Sequence, residues 1–380
     1  MDIAIFSANY LPNIGGIENY TKNLAEALVR QGCRVTIVTN NCFDLSEQEN
    51  LDSGIEIIRL PCSSLINGRL PIPKRNRAYK KLVTMLLQEN FDAVFINGRY
   101  YAHSILGVRV ARAVGAKAVV IDHSSGYITL GNSILNAVSR MYEHSMTFYL
   151  KSFRPLFCSV SKKGSDWLKT FGITTSTILP NSISVPLFQA EAAQRSFLDE
   201  LGIHPETTLV CFCGRLVEGK GVLETVEGVC GARRLGADVQ LVVAGSGPLA
   251  DDLQGMKKEW LHFLGPLDHS SVSALLRDSD IFCFPSSYPE GLPTAVLEAM
   301  AQNCAVIMTP VGGVDELIPN DSCGVVLTDM GFSDMGRQIY TLATDPARIR
   351  AYCDNALINI SRNLSWEKTA ERCLELVAPD

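Results

Sequence analysis

The sequence has little of several things, and each shortage narrows what the chain can be. Charged residues make up only 19% of its 380 positions, while 47% are apolar, so the chain can bury a large core and is not a disordered polyelectrolyte. The net charge is −6, leaving no global basic field to attract nucleic acid, and no nucleic-acid partner is expected. No uninterrupted apolar run reaches the roughly 18 residues of a membrane-spanning helix. The opening Met1-Asp2-Ile3-Ala4-Ile5-Phe6 lacks the basic start of a secretory signal, so a cytoplasmic location is expected. The 12 cysteines include no C-x-x-C pair and no His partner at zinc-ligand spacing. They read as reduced thiols serving as small apolar side chains, with no metal or cofactor expected. Internal repeats and low-complexity tracts are absent as well.

What is present is a regular alternation. A strand at 2–8 leads through a loop to a helical pattern at 17–30 and a second strand at 34–39, which is a βαβ unit and implies a parallel sheet. Strands at 55–60, 93–97, 118–122 and 156–160 and helices at 76–88, 102–114 and 135–151 continue the series. The alternation pauses around 177–186. It restarts with strands at 209–213, 240–244, 261–264, 281–285 and 305–309, separated by helices. The expectation is two Rossmann-like domains, 1–180 and 181–364, facing across a cleft, with a final helix over 365–380 free to pack back on the first. In such folds ligands bind outside the carboxyl ends of the strands.

Four strand-to-helix junctions carry chemistry. Gly15-Gly16-Ile17-Glu18 allows close backbone approach at a helix start that favours an anion, though a plain tight turn reads equally well. Gly214-Arg215-Leu216-Val217-Glu218-Gly219-Lys220-Gly221 places a guanidinium and an ammonium five apart, suited to a diphosphate; the alternative is a solvated loop with Glu218 as partner. Ala244-Gly245-Ser246-Gly247 permits close approach to a nucleotide at Gly245, but the dinucleotide fingerprint is incomplete. The fourth, Ser287-Tyr288-Pro289-Glu290-Gly291-Leu292-Pro293-Thr294, starts a helix at Pro293-Thr294 with Glu290 in the loop and Glu298 inside the helix. Carboxylates there can accept hydroxyl protons of a sugar or ribose, and the first-turn amides can meet phosphate; taken singly, Glu290 reads as a capping acid and Glu298 as an exposed helical side chain, and it is their combination that points to a ligand.

With these residues in place the chain resembles family 4 of the retaining glycosyltransferases of GT-B fold, along its whole length to Ser365-Trp366-Glu367-Lys368. The E-x7-E pair of Glu290 and Glu298 is the most specific element. The resemblance implies that Glu290 contacts donor-hexose hydroxyls and Glu298 the ribose. It assigns Arg215 and Lys220 to the diphosphate and the leaving group. Backbone near Gly16, Gly291, Leu292 and Thr294, and the strand end at Leu264-Gly265, would complete the donor site, and His123 would lie beside the reacting sugar. Pro293 departs from the usual E-G-F-G and lacks an amide donor, and Gly219 intervenes where Glu often precedes the lysine. No Asp-x-Asp follows a strand, in keeping with a metal-independent class.

The implied reaction moves a hexose-type sugar from a nucleoside diphosphate, UDP by default, to a saccharide acceptor. The departing phosphate takes the acceptor's proton on the same face, which retains configuration. The segment 69–81 holds Arg69, Lys74, Arg75, Arg77, Lys80 and Lys81 and no acid, which suits either an anionic lipid surface or a solvated helix face. The apolar residues of 135–157 either line the acceptor cleft or belong to the core, and the core is the expectation. A lipid-linked acceptor, as in bacterial capsule or O-antigen assembly, fits this picture, with the enzyme peripheral on the inner membrane face. The readings kept beside it are a GT-B nucleotide-sugar epimerase and a nucleotide-sugar-binding protein without catalysis.

Overall fold

Parallel strands need a crossover, and amphipathic helices supply it in each half of the chain. The computed structural model describes residues 1–13, 15–65, 70–128, 132–328 and 332–378. The chain divides into two units, Met1–Asn181 with Trp366–Asp380, and Ser182–Ser365.

The first unit opens with β1 (Asp2–Ser7), α1 (Gly16–Arg30), β2 (Arg34–Asn41), β3 (Gln48–Asn50), β4 (Ile55–Leu65) and β5 (Leu70–Pro73). It continues with α2 (Arg77–Leu86), β6 (Ala93–Asn97), α3 (Ala102–Val114), β7 (Lys117–Asp122), α4 (Ser133–Lys151), β8 (Leu156–Ser159) and α5 (Lys162–Leu168). The second contains α6 (Val185–Ala190), α7 (Phe197–Leu201), β9 (Thr208–Cys213), α8 (Val222–Arg234), β10 (Val239–Ala244), α9 (Ala250–Gly255), β11 (Leu261–Gly265) and α10 (His269–Arg277). After these come β12 (Ile281–Phe284), α11 (Thr294–Ala301), β13 (Ala305–Met308), α12 (Val314–Leu317), β14 (Val325–Val326), α13 (Phe332–Ala343) and α14 (Pro346–Asn363). The last helix, α15 (Trp366–Val377), belongs to the first unit, where it packs on α1 and sets Trp366 edge-on to Tyr20 at 5.3 Å.

The first sheet runs β3-β4-β2-β1-β6-β7-β8, with β5 paired to β4; only β3 and β5 are antiparallel. Chain order reverses between β1 and β6, and that switch point opens a crevice at the strand ends. The second sheet runs β11-β10-β9-β12-β13-β14 and is parallel throughout, with its reversal between β9 and β12. Its strands read as apolar runs such as Leu241, Val242 and Val243 because both faces are covered. On one face α8 and α13 come close enough that a methyl on Gly228 would strike Met335 at 2.9 Å.

Two sequence expectations change. The strand at 55–60 runs on to Leu65 and hairpins with β5, which its prolines had hidden; Pro71 and Pro73 are tolerated because β5 is an edge strand. The 135–157 segment is not uniformly core. Leu135, Met141, Phe148 and Tyr149 are exposed, because α4 turns its polar stripe of Ser139, Glu143 and Thr147 inward. Those polar residues have a reason to be inside. Arg99, 0% exposed, pairs with Asp122 (3.3 Å) and Glu143 (2.9 Å), donates to Thr147, and lies over the Phe171 ring at 3.7 Å. Burial pushes the Asp122 carboxyl up to about 6, against the pull of Arg99.

Candidate active site

In the second unit the informative loops follow β9 and β12, the two strands at the switch point. The β9 loop turns at Gly214 and is anchored by Leu216, fully buried, whose amide donates to the Ser246 carbonyl at 2.9 Å. Gly245, at φ +147°, permits this: a Cβ there would sit 1.9 Å from the Gly214 carbonyl oxygen. The departure at Gly219 also has a local cause. Gly219 is left-handed at φ +80°, and its carbonyl accepts from the Ser287 amide at 2.7 Å and the Ser287 hydroxyl at 3.2 Å. That latch ties the loop after β9 to the loop after β12.

Across the latch Lys220 donates to Glu290 Oε1 at 2.5 Å, and the buried Ser286 hydroxyl donates to the same oxygen at 3.0 Å. Both charged side chains are 15% exposed, and Lys220 lies 5.5 Å from the Tyr288 ring centre. Glu218, the alternative partner for Lys220, is exposed instead. Arg215 is exposed and makes no ion pair among the described residues. Gly291 and the buried Leu292 are held by the loop after β13, where a side chain on Gly312 or Gly313 would strike Glu290 or Leu292.

Thr294 opens α11 without a side-chain cap, and Pro293 stands at its N-cap in extended conformation. Glu298, half-buried, sits one turn in, 3.7 Å from His269 Nε2. His269 also meets Glu191 at 3.0 Å through Nδ1 and lies edge-on to Phe188. The Glu298 carboxylate as hydrogen-bond partner raises the His269 pKa above its ordinary value, against partial burial. Sequence reading missed His269, because nothing in Asp268-His269-Ser270-Ser271 signals more than a capped helix start. Leu264 and Gly265 end β11 half-buried, and the Gly265 carbonyl accepts from the Gly245 amide at 2.8 Å.

In the first unit, Gly15 caps α1 and Gly16 is its first residue, with nothing within 4 Å of where a Gly16 side chain would stand. A Cβ on Gly15 would meet Glu18 Oε2 at 2.5 Å. Glu18 is buried, accepts from Asn13 Nδ2 at 2.7 Å, and has its pKa raised by burial. His123 follows β7 with Nε2 on Asn97 Oδ1 at 3.0 Å and its ring edge-on to Tyr20 at 4.7 Å. Burial pushes the imidazole down to about 3, so it is neutral near pH 7. Lys74, Arg75, Arg77, Lys80 and Lys81 are exposed and in no ion pair among the described residues; Arg69 lies outside them. No group of three metal-ligating side chains occurs among the described residues, and no helix there is long and apolar enough to cross a membrane.

Two units built on mainly parallel sheets, each with loops gathered at its switch point, are the building blocks of the GT-B fold, and comparison with known proteins shows the chain to be a glycosyltransferase of that fold. Family models match residues 14–185 (Glycosyltransferase Family 4) and 194–357 (Glycosyl transferases group 1). The chain belongs to glycosyltransferase family 4. It is 23% identical to an uncharacterized glycosyltransferase of Methanocaldococcus jannaschii, over 97% of this chain and 96% of the relative. It is 26% identical to a phosphatidylinositol N-acetylglucosaminyltransferase subunit of Arabidopsis thaliana, over 89% of this chain and 73% of the relative. Among solved structures, Anabaena HepE in complex with UDP superposes with a TM-score of 0.75 at 15% identity, covering 99% of each chain. WaaG, a glycosyltransferase involved in lipopolysaccharide biosynthesis, gives 0.66 at 18% identity over the full length of both.

Proposed function

We propose that this transferase moves a hexose-type sugar, with retention, from a UDP-sugar to a lipid-linked saccharide during bacterial surface polysaccharide or glycan assembly. The observation that carries the donor half is the Lys220–Glu290 contact, which joins the basic loop after β9 to the E-x7-E segment after β12. The UDP complex of HepE supports the choice of nucleotide. The phosphatidylinositol substrate in the Arabidopsis relative's name supports a lipid-linked acceptor. The exposed basic residues 74–81 support a place at the inner face of the cytoplasmic membrane.

In this reading the bond from the anomeric carbon to the diphosphate oxygen breaks, and negative charge grows on the leaving nucleotide. Lys220, Arg215 and the first amides of α11 meet that charge as it develops, with no metal required. The acceptor oxygen forms its bond on the face the phosphate leaves, and its proton passes to a departing phosphate oxygen. Glu290 orients the donor hydroxyls and Glu298 the ribose. His123, neutral and tied to Asn97, hydrogen-bonds the sugar and does not act as base. Gly16, Gly245, Leu264, Gly291, Leu292 and Thr294 supply close backbone approach. Steady-state kinetics of Glu290→Gln, Lys220→Ala and Arg215→Ala test the assignment, each expected to lose about a hundredfold or more in kcat. Near-wild-type turnover in all three would overturn it. Incubation with donor alone should give slow hydrolysis, and a new nucleotide sugar would identify an epimerase instead.

A further inference from the structure

A surface helix normally turns its apolar stripe to the core. Helix α4 does the opposite. Its inward stripe is Ser139, Glu143 and Thr147, spent on the Arg99 cluster, with Leu150 the apolar exception. About half a turn away Ile134 (75% exposed), Val138, Met141 (67%) and Phe148 (79%) stand largely in solvent. These positions lie on one face at helical spacing, so the exposure is a continuous strip and not a scatter of single residues.

The exposed charges of the helix layer that carries the strip all have one sign. Helices α2, α3 and α4 lie on one face of the first sheet, where Leu82, Val108 and Leu150 share a core. Apart from Glu143, which is buried against Arg99, these three helices contain no acidic residue. Their exposed charged groups are Arg77, Lys80, Lys81, Arg109, Arg112 and Arg140. Residues 69–163 as a whole hold 15 Lys and Arg against four Asp and Glu, in a chain whose net charge is −6. Of those four acids, Asp122 and Glu143 are buried against Arg99, itself one of the 15, and so add no negative charge to the surface. An apolar strip on a helix layer whose exposed charges are all cationic, and in no ion pair among the described residues, is complementary to a surface with an oily interior and anionic headgroups.

We propose that the outward face of α2, α3 and α4 is a docking surface for an anionic lipid bilayer, with the α4 strip of Ile134, Val138, Met141 and Phe148 entering the headgroup region. This deepens the lipid-linked acceptor reading by placing the membrane on one face of the first unit. Docking needs no donor, acceptor or turnover, so its test stands apart from the transfer chemistry.

The experiment is co-flotation of the full chain with vesicles of phosphatidylcholine alone, or with about a third phosphatidylglycerol, at low and at physiological salt. The wild type should bind the anionic vesicles at least about tenfold more than the neutral ones, and less as salt rises. The variant Ile134→Ser/Met141→Ser/Phe148→Ser should lose about tenfold or more of that binding while keeping its melting temperature, since all three side chains are already in water. Lys80→Glu/Lys81→Glu, which leaves the strip intact, should also weaken it. Wild-type failure to float with anionic vesicles, or equal flotation of the triple variant, overturns the proposal. So does light scattering that shows a wild-type dimer turned monomer by the triple variant without any vesicle binding, which would make the strip a contact between copies of the chain.

Discussion

Replacing Lys220 with alanine separates what its ion pair does for the fold from what it does for the reaction. The ammonium sits 2.5 Å from Glu290 Oε1, with both side chains 15% exposed. Breaking a fully buried pair costs about 3–5 kcal/mol because the remaining charge is stranded. Here some solvent reaches the pair and Ser286 still donates to the carboxylate at 3.0 Å, so about 2 kcal/mol is expected. For a unit of this size that is a fall of about 4–8 °C in melting temperature. Lys220→Met/Glu290→Gln removes both charges, keeps the Ser286 bond to a side-chain oxygen, and should recover at least half of the loss, as a coupled pair does in a double-mutant cycle. Turnover should not follow. If Lys220 meets charge developing on the leaving diphosphate, the single and the double variant should both fall by about a hundredfold to a thousandfold in kcat. Calorimetric melting and donor kinetics on the same preparations give the two readings. A double variant that regains both stability and turnover would refute the reasoning, because the pair would then be structural only.

Other variants probe separate links of the account. Gly245→Ala places a methyl against the Gly214 carbonyl, and the two loops must part; the donor KM should rise at least about tenfold, and an unchanged KM would show that their packing does not shape the site. Arg99→Leu strands Asp122 and Glu143 inside the first unit and should cost about 3–5 kcal/mol, so a fall in melting temperature below about 2 °C would be inconsistent with a buried pair of carboxylates held by one cation. His103 is buried with Nε2 on the Val38 carbonyl, and burial pushes its pKa down to about 4. Its folded pKa lies below the unfolded value near 6.5, so its contribution is constant above that pH and is lost as pH falls toward 4. Between pH 7 and pH 5 the wild type should therefore lose about 2 kcal/mol more than His103→Gln, as read by denaturant titration. Asp122 opposes this trend equally in both proteins; parallel stability curves would contradict the assignment.

The alternation of strands and helices was legible because buried parallel strands leave short apolar runs, and crossover helices leave a 3.6-residue period between them. Arg215, Lys220 and Glu290 in their loops, and Glu298 in α11, stood out by spacing. Their geometry did not, since Lys220 and Glu290 are 70 positions apart and meet only because β9 and β12 are neighbours across the switch point. The role of Gly219 was likewise invisible, as it depends on a carbonyl reaching Ser287. Helix α4 shows a deeper limit. Periodicity tells that a helix has an apolar face but not which way that face points, and the buried Arg99 outweighs the usual preference by demanding Glu143 and Thr147 on the inside. His269 escaped for a related reason: its partners Glu191, just after α6, and Glu298, in α11, lie 78 and 29 positions away in sequence.

Titration calorimetry of UDP into the protein tests the central claim most directly. The wild type should bind UDP, Arg215→Ala/Lys220→Ala should lose at least about a hundredfold in affinity through the diphosphate, and Glu298→Gln should lose about tenfold through the ribose, with all three proteins melting cooperatively. Wild-type protein that does not bind UDP, or a double variant that binds it as tightly as the wild type, would contradict the account.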